Sequence, residues 1–223
     1  MKKGFILINK PLGFTSHDVV DKLRAITKIK KIGHAGSLDP FARGLLILGI
    51  GREFTKKLAF FQKKDKEYIA TLKLGAESET FDKEGKIIKK NVERIPKKKE
   101  IEKVLKQFLG EIEQIPPIFS AKRIKGKRLY ELARKGIKIE PWPQKVKIYN
   151  LEILEYCFPY LKIKVNCSSG TYLRSLAHEI GQKLKCGAYL EDLIRTKIGD
   201  FSLDDSVNLS ELNFQNWERF LIY

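Results

Sequence analysis

Cysteine is scarce and poorly placed for any staple. The three in 223 residues, Cys157, Cys167 and Cys186, are odd in number and match neither a disulfide framework nor paired C-x-x-C zinc ligands. Only three histidines are present, scattered along the chain, which leaves a metal enzyme with little to build on. Long hydrophobic runs are also missing. No stretch approaches the roughly 18 apolar residues of a membrane helix. The apolar run Phe5 to Ile8 stops too early, and without a small-residue cleavage site, to be a signal peptide. These absences point to the cytoplasm. Gly49-Ile-Gly51 lacks the Lys-Ser/Thr partner of a phosphate-binding P-loop.

Acid is the other shortage: 27 Asp and Glu stand against 44 Lys and Arg, a formal charge of +17. Such a surplus implies a polyanionic partner, nucleic acid or an acidic membrane. The basic runs Lys28 to Lys31, Lys97 to Lys99 and Lys122 to Arg128 fall at element ends and in loops, with aromatics at Tyr68, Phe119, Tyr130 and Tyr172. No long basic amphipathic helix is evident, so a folded groove for a phosphate backbone is the better reading than a membrane face.

One stretch organises the chain, Lys31 to Gly44, in which Gly33, Gly36 and Gly44 surround His34 and Asp39. Pro40 keeps Asp39 out of the helical region, so the segment reads as a shaped loop that presents side chains. A carboxylate there serves as nucleophile, as general base or as turn former, and the loop alone does not choose. Around it, Gly4 to Asn9 and Leu45 to Ile50 read as buried strands. A helix capped by Thr15 or Ser16 runs to about Ile29, and a second spans Glu53 to Gln62. Tyr68 to Leu74, Ile112 to Ile115, Val146 to Tyr156, Tyr160 to Cys167 and Tyr189 to Ile194 read as strands. Lys98 to Leu109, Leu129 to Gly136 and Tyr172 to Leu184 read as helices. Ser120 to Arg128 is hairpin-like. Ala76 to Gly85 lacks periodicity and reads as a mobile loop, and the tail after Asp205 is short. With no repeat, linker or composition break, residues 1–223 are expected to form one domain with loop insertions. Its class is α+β, a mixed and mostly antiparallel sheet flanked by helices.

Taken in order, Gly4 to Ser16, Lys31 to Pro40 with Ala42 and Gly44, Asp65 to Tyr68, and Cys167 to Arg174 resemble the motifs of the bacterial tRNA pseudouridine-55 synthases. The resemblance covers nearly all of the chain to about residue 200, and four ordered motifs make it specific. It implies the pseudouridine synthase catalytic fold and an isomerase that breaks the N1 to C1' bond of uridine 55 in the tRNA T-loop. The ring is rejoined through C5, after the base has been flipped from the loop. It implies neither metal nor cofactor, the T-arm stem-loop as partner, no protein partner and a monomer.

Carried over by position, the resemblance makes Asp39 the nucleophile, attacking C1' or C6, with elimination to a glycal as a third route. It makes Tyr68 the residue that stacks on the target base, Arg174 the cation paired with Asp39, and His34, Tyr172 and Leu193 substrate contacts. Lys10 and Pro11 support the loop. Departures are Ser37 and Arg43 within the loop motif and Ser78 to Asp82, which keeps the loop without its usual Thr-Asp-Thr pattern. The RNA-binding PUA domain that many relatives carry at the C-terminus does not fit in this chain, so the catalytic domain is expected to hold tRNA unaided. A silent tRNA-binding or tRNA-folding protein is the alternative, with Asp39 only shaping the loop.

Overall fold

Leu45 to Ile50 contains no polar side chain, so a strand formed there has to be covered on both faces. In the computed structural model, which describes residues 2–120, 123–124, 127–129 and 142–223, it is. The contacts divide the chain into two compact units, one of residues up to Ile69 together with Leu193–Tyr223, the other of Ala70–Asp192.

The first unit begins with β1 (Gly4–Lys10), α1 (Ser16–Thr27), β2 (Ile32–Ala35), β3 (Arg43–Ile50) and α2 (Arg52–Gln62). β3 lies between β1, paired antiparallel from Gly4 with Ile50 to Lys10 with Gly44, and β2, paired antiparallel from Ile32 with Ile50 to Ala35 with Ile47. Ile6, Ile8, Leu46 and Leu48 pack against Val19, Val20 and Leu23 of α1, with Trp217 beside them. Phe5, Leu7, Leu45 and Ile47 face Phe54, Leu58 and Phe61 of α2. Each helix thus buries one apolar stripe on one face of the same strands. Of the two expected caps at the α1 start, Thr15 is the one used, in a capping box: Asp18 N donates to Thr15 Oγ1 and Thr15 N to Asp18 Oδ2.

β4 (Lys66–Leu74) then carries the chain into the second unit, whose elements are β5 (Ala76–Ser78), β6 (Ile87–Lys89), α3 (Lys98–Lys106), β7 (Gly110–Gln114), β8 (Arg123–Ile124), β9 (Lys127–Arg128), β10 (Gln144–Cys157), β11 (Tyr160–Cys167) and α4 (Leu173–Lys183). β10 pairs antiparallel with β11 on one side and β7 on the other. Leu161, Ile163 and Val165 alternate into the core while Lys162 and Lys164 do not.

β12 (Ala188–Ile198) leads back, followed by β13 (Phe201–Ser202), β14 (Val207–Asn208) and β15 (Leu221–Ile222). The architecture is α+β with mostly antiparallel pairing, as read from the sequence. Parallel pairs among the described residues include β3 with β12 and β1 with β14. Among the described residues no helix is long and apolar enough to cross a membrane.

Two local expectations need correction. The first part of the glycine stretch is strand β2, because Ile32 and Ala35 bury against the core and Gly33 lets Leu58 approach. Ala76 to Gly85 is no featureless loop: β5 pairs with β6, and Asp82 bridges Leu190. The short tail after Asp205 contributes β14 and β15, which both add to β1. The helix expected from Leu129 to Gly136 lies outside the described residues beyond Leu129 itself, as do Lys122 and Tyr130. β8 and β9 do form the hairpin pair read at Ser120 to Arg128.

Candidate active site

Asp39 sits in the turn between β2 and β3, half-buried, and both of its chain neighbours are pinned. Ser16, the first residue of α1, accepts from Leu38 N at 2.9 Å and donates to Leu38 O at 3.3 Å through one hydroxyl. Gly13 N donates to Pro40 O at 2.9 Å, and Ala42 N to Asp39 O at 3.0 Å. The carboxylate therefore stands on a backbone that cannot drift without breaking several hydrogen bonds. Lys10 is wholly buried and turns its Nζ to the carbonyls of Pro11 and Phe14, which fixes the segment beneath that turn.

Gly44 closes the turn at φ +108°, where an added Cβ would fall 2.4 Å from Arg195 O. That gap lets β12 run beside β3, with Arg195 opposite Gly44. The Arg195 guanidinium enters the first unit's interior, donating from Nε to Leu45 O at 2.8 Å and from Nη2 to Gly36 O at 3.2 Å. It also shares a hydrogen bond with Tyr68. Burial pulls its pKa down from the ordinary arginine value, and the Tyr68 phenol pulls it partly back. Tyr68 is buried near the start of β4, whose preceding residue Glu67 accepts from Thr196 Oγ1 at 2.9 Å. Leu193 is buried on β12. His34, on β2, opens on a cavity of about 450 Å³ lined also by Lys31, Thr55, Lys56 and Gln62.

The remaining two expected site residues belong to the second unit. Tyr172 precedes α4, and Gln114 clamps its backbone, Tyr172 N donating to Gln114 Oε1 at 2.7 Å and Gln114 Nε2 to Tyr172 O at 3.1 Å. Arg174 is the second residue of α4. It is buried, with Nη1 3.0 Å from Asp82 Oδ2 and Nη2 donating to Phe119 O at 2.9 Å. Asp82 Oδ1 accepts from Thr80 Oγ1 at 2.6 Å and Glu84 N at 3.0 Å, so both carboxylate oxygens are used. On the same helix His178 stacks on Phe81 at 4.1 Å, and burial lowers its pKa. Among the described residues, no group of three or more His, Cys, Asp or Glu side chains could hold a metal ion.

Four residues of this arrangement escape a reading of the sequence. Asp82 lies in a polar stretch without periodicity and Gln114 ends a short strand. Ser16 reads only as a candidate helix cap. Arg195 carried a usable signal, a cation inside the apolar run of a strand.

The family model described as TruB family pseudouridylate synthase (N terminal domain) matches residues 24–173, and that described as tRNA pseudouridylate synthase B C-terminal domain matches residues 174–219. The chain is 47% identical over 219 residues to tRNA pseudouridine synthase B of Clostridium tetani, covering 98% of this chain and 75% of that protein. It is 46% identical over 221 residues to the protein of the same name from Protochlamydia amoebophila, covering 99% and 84%. Among solved structures it is similar to a chain of a Cbf5-Nop10-Gar1 complex, with TM-score 0.75 and 30% identity, covering 96% of this chain and 55% of that one. It is also similar to a chain of an H/ACA RNP bound to a substrate RNA containing 2'-deoxyuridine, with TM-score 0.71 and 28% identity, covering 97% and 55%. The chain belongs to the TruB family of pseudouridylate synthases.

Proposed function

We propose that this protein isomerises uridine 55 in the T-loop of tRNA to pseudouridine, with Asp39 as the nucleophile. The observation that carries the reading is the half-buried carboxylate whose two neighbours, Leu38 and Pro40, are both fixed by hydrogen bonds. The reaction is balanced within the nucleotide. The N1 to C1' bond breaks, the detached uracil turns, C5 bonds to C1', the C5 proton leaves and N1 takes one up. The uracil is its own second nucleophile, so the protein has only to capture or stabilise the sugar or ring fragment and hold both pieces. Attack at C1', attack at C6 and a glycal route all use the carboxylate in this place.

Tyr68 stacks on the flipped base, Leu193 and Tyr172 each contact the substrate, and His34 meets the RNA from a cavity whose rim carries Lys31 and Lys56. Arg174 supplies the cation of the second unit, held by Asp82. The surplus of 44 basic over 27 acidic residues supplies attraction for the T-arm phosphates. The protein acts as a monomer in the cytoplasm without a protein partner.

Tritium release from tRNA labelled at uridine C5 tests the proposal. Wild type is expected to release one tritium per tRNA, and Asp39→Asn to release none while binding tRNA as well as wild type. Equal release from both would remove Asp39 from the chemistry. No release from either, with tRNA bound, would favour a binding protein instead.

A further inference from the structure

Arg195 has no part in the chemistry assigned above, yet it is 1% exposed and few side chains are as costly to bury. Its guanidinium reaches three separate elements of the first unit. One edge meets Leu45 O in β3, a second meets Gly36 O where the chain leaves β2 for the Asp39 turn, and the Tyr68 phenol in β4 shares a hydrogen bond with it. A planar fork with fixed donor directions can serve such divergent acceptors together, whereas an ammonium on a flexible stem cannot hold the same geometry.

Resting on the reading of Asp39 and Tyr68 as groups of the reaction, we infer that Arg195 is a positioning residue that locks the Tyr68 phenol to the Asp39 turn through one guanidinium. Its own root is fixed as well. Arg195 pairs with Gly44, where the turn rejoins β3, and only a residue without Cβ fits so close to the Arg195 backbone. Gly36, at φ +77°, turns its carbonyl to the same guanidinium. The turn is thus held from both ends by one residue: at Gly36 by the side chain, at Gly44 by the backbone. Tyr68 cannot move relative to it without breaking a bond to the same group. The arginine acts through the tyrosine and the turn, and its loss is expected to change rate more than RNA affinity.

The test is single-turnover pseudouridine formation on a T-arm stem-loop, with RNA affinity and the unfolding midpoint measured alongside. The proteins are wild type, Arg195→Lys, Arg195→Met, Tyr68→Phe and the Arg195→Met, Tyr68→Phe double variant. Arg195→Met is expected to bind RNA within about twofold of wild type and to slow the chemical step about 100-fold, the scale of a small misplacement of reacting groups. Arg195→Lys, which keeps the charge and one donor head, is expected to recover about tenfold of that loss. In the Tyr68→Phe background the same Met substitution is expected to cost less than about threefold, because the two residues act as one. Equal losses in both backgrounds, or a loss confined to RNA affinity, would overturn the inference. Should the Met variant fail to fold, the Lys variant carries the same comparison in both backgrounds, and equal losses there overturn the inference in the same way. A wild type that forms no pseudouridine would instead fail the proposed reaction and take this inference with it, so the two failures are told apart.

Discussion

Two arginines are buried in the described residues, one in each unit, and their surroundings differ in kind. Arg174 meets a full carboxylate, Asp82, whose second oxygen is already satisfied by Thr80 and Glu84. Arg195 meets dipoles: two backbone carbonyls and a phenol. The first arrangement neutralises a charge and fixes it as a pair. The second fixes directions, because each carbonyl belongs to a different strand or turn, and the cation remains as a field inside the first unit. A buried pair that loses one member leaves an uncompensated charge, whereas a buried arginine bonded to dipoles leaves orphaned carbonyls, which cost less.

That contrast orders the expected effects. Asp82→Ala, which strands the Arg174 charge, is expected to destabilise the protein by about 3–5 kcal/mol in urea unfolding. A loss below about 1 kcal/mol would mean that the pair is not a structural unit. Arg195→Met, leaving Leu45 O and Gly36 O without their donor, is expected to cost about 1–3 kcal/mol. If it proves costlier than Asp82→Ala, the distinction between charge and dipole partners fails. Ser16→Ala removes both hydrogen bonds to Leu38 and is expected to cost about 1–2 kcal/mol, while slowing the chemical step more than it weakens RNA binding. Unchanged turnover would show the turn to be held by Pro40 and Gly13 alone.

The smallest effect lies on α4, near the paired arginine. Burial raises the Glu179 carboxyl to about 7, with Lys183 working against the shift. A folded pKa above the unfolded one means that the folded state binds the proton more tightly. The associated stability is complete below about pH 4.5 and is lost as pH rises through about 7. Because the group is only half-buried, solvent screening cuts the effect to about 1 kcal/mol. Glu179→Gln is therefore expected to flatten the decline in melting temperature between pH 5 and 8. A decline of unchanged slope would remove Glu179 as its cause.

The two regions also differ in how much of them the sequence discloses. The sandwiched strand Leu45 to Ile50, the Thr15 to Asp18 cap and the alternation of Leu161, Ile163 and Val165 are legible because neighbours in sequence set them. The turn that carries Asp39 is legible for the same reason, since Gly36, Pro40 and Gly44 shape it locally. The partners of the two arginines are not. Asp82 and Arg174 are 92 residues apart and Arg195 and Gly36 are 159 apart, so no local pattern joins them. β5, of three residues, is too short to show a period, and β14 and β15 exist only because β1 has an edge to add to.

The most direct test of the account is pseudouridine mapping at single-nucleotide resolution in a tRNA transcript treated with wild type or with Asp39→Asn. One modified nucleotide is predicted, uridine 55 of the T-loop, formed by wild type and absent after Asp39→Asn although the RNA is still bound. Pseudouridine formed by the Asp39→Asn protein, or a wild-type product at any uridine outside the T-loop, would contradict it.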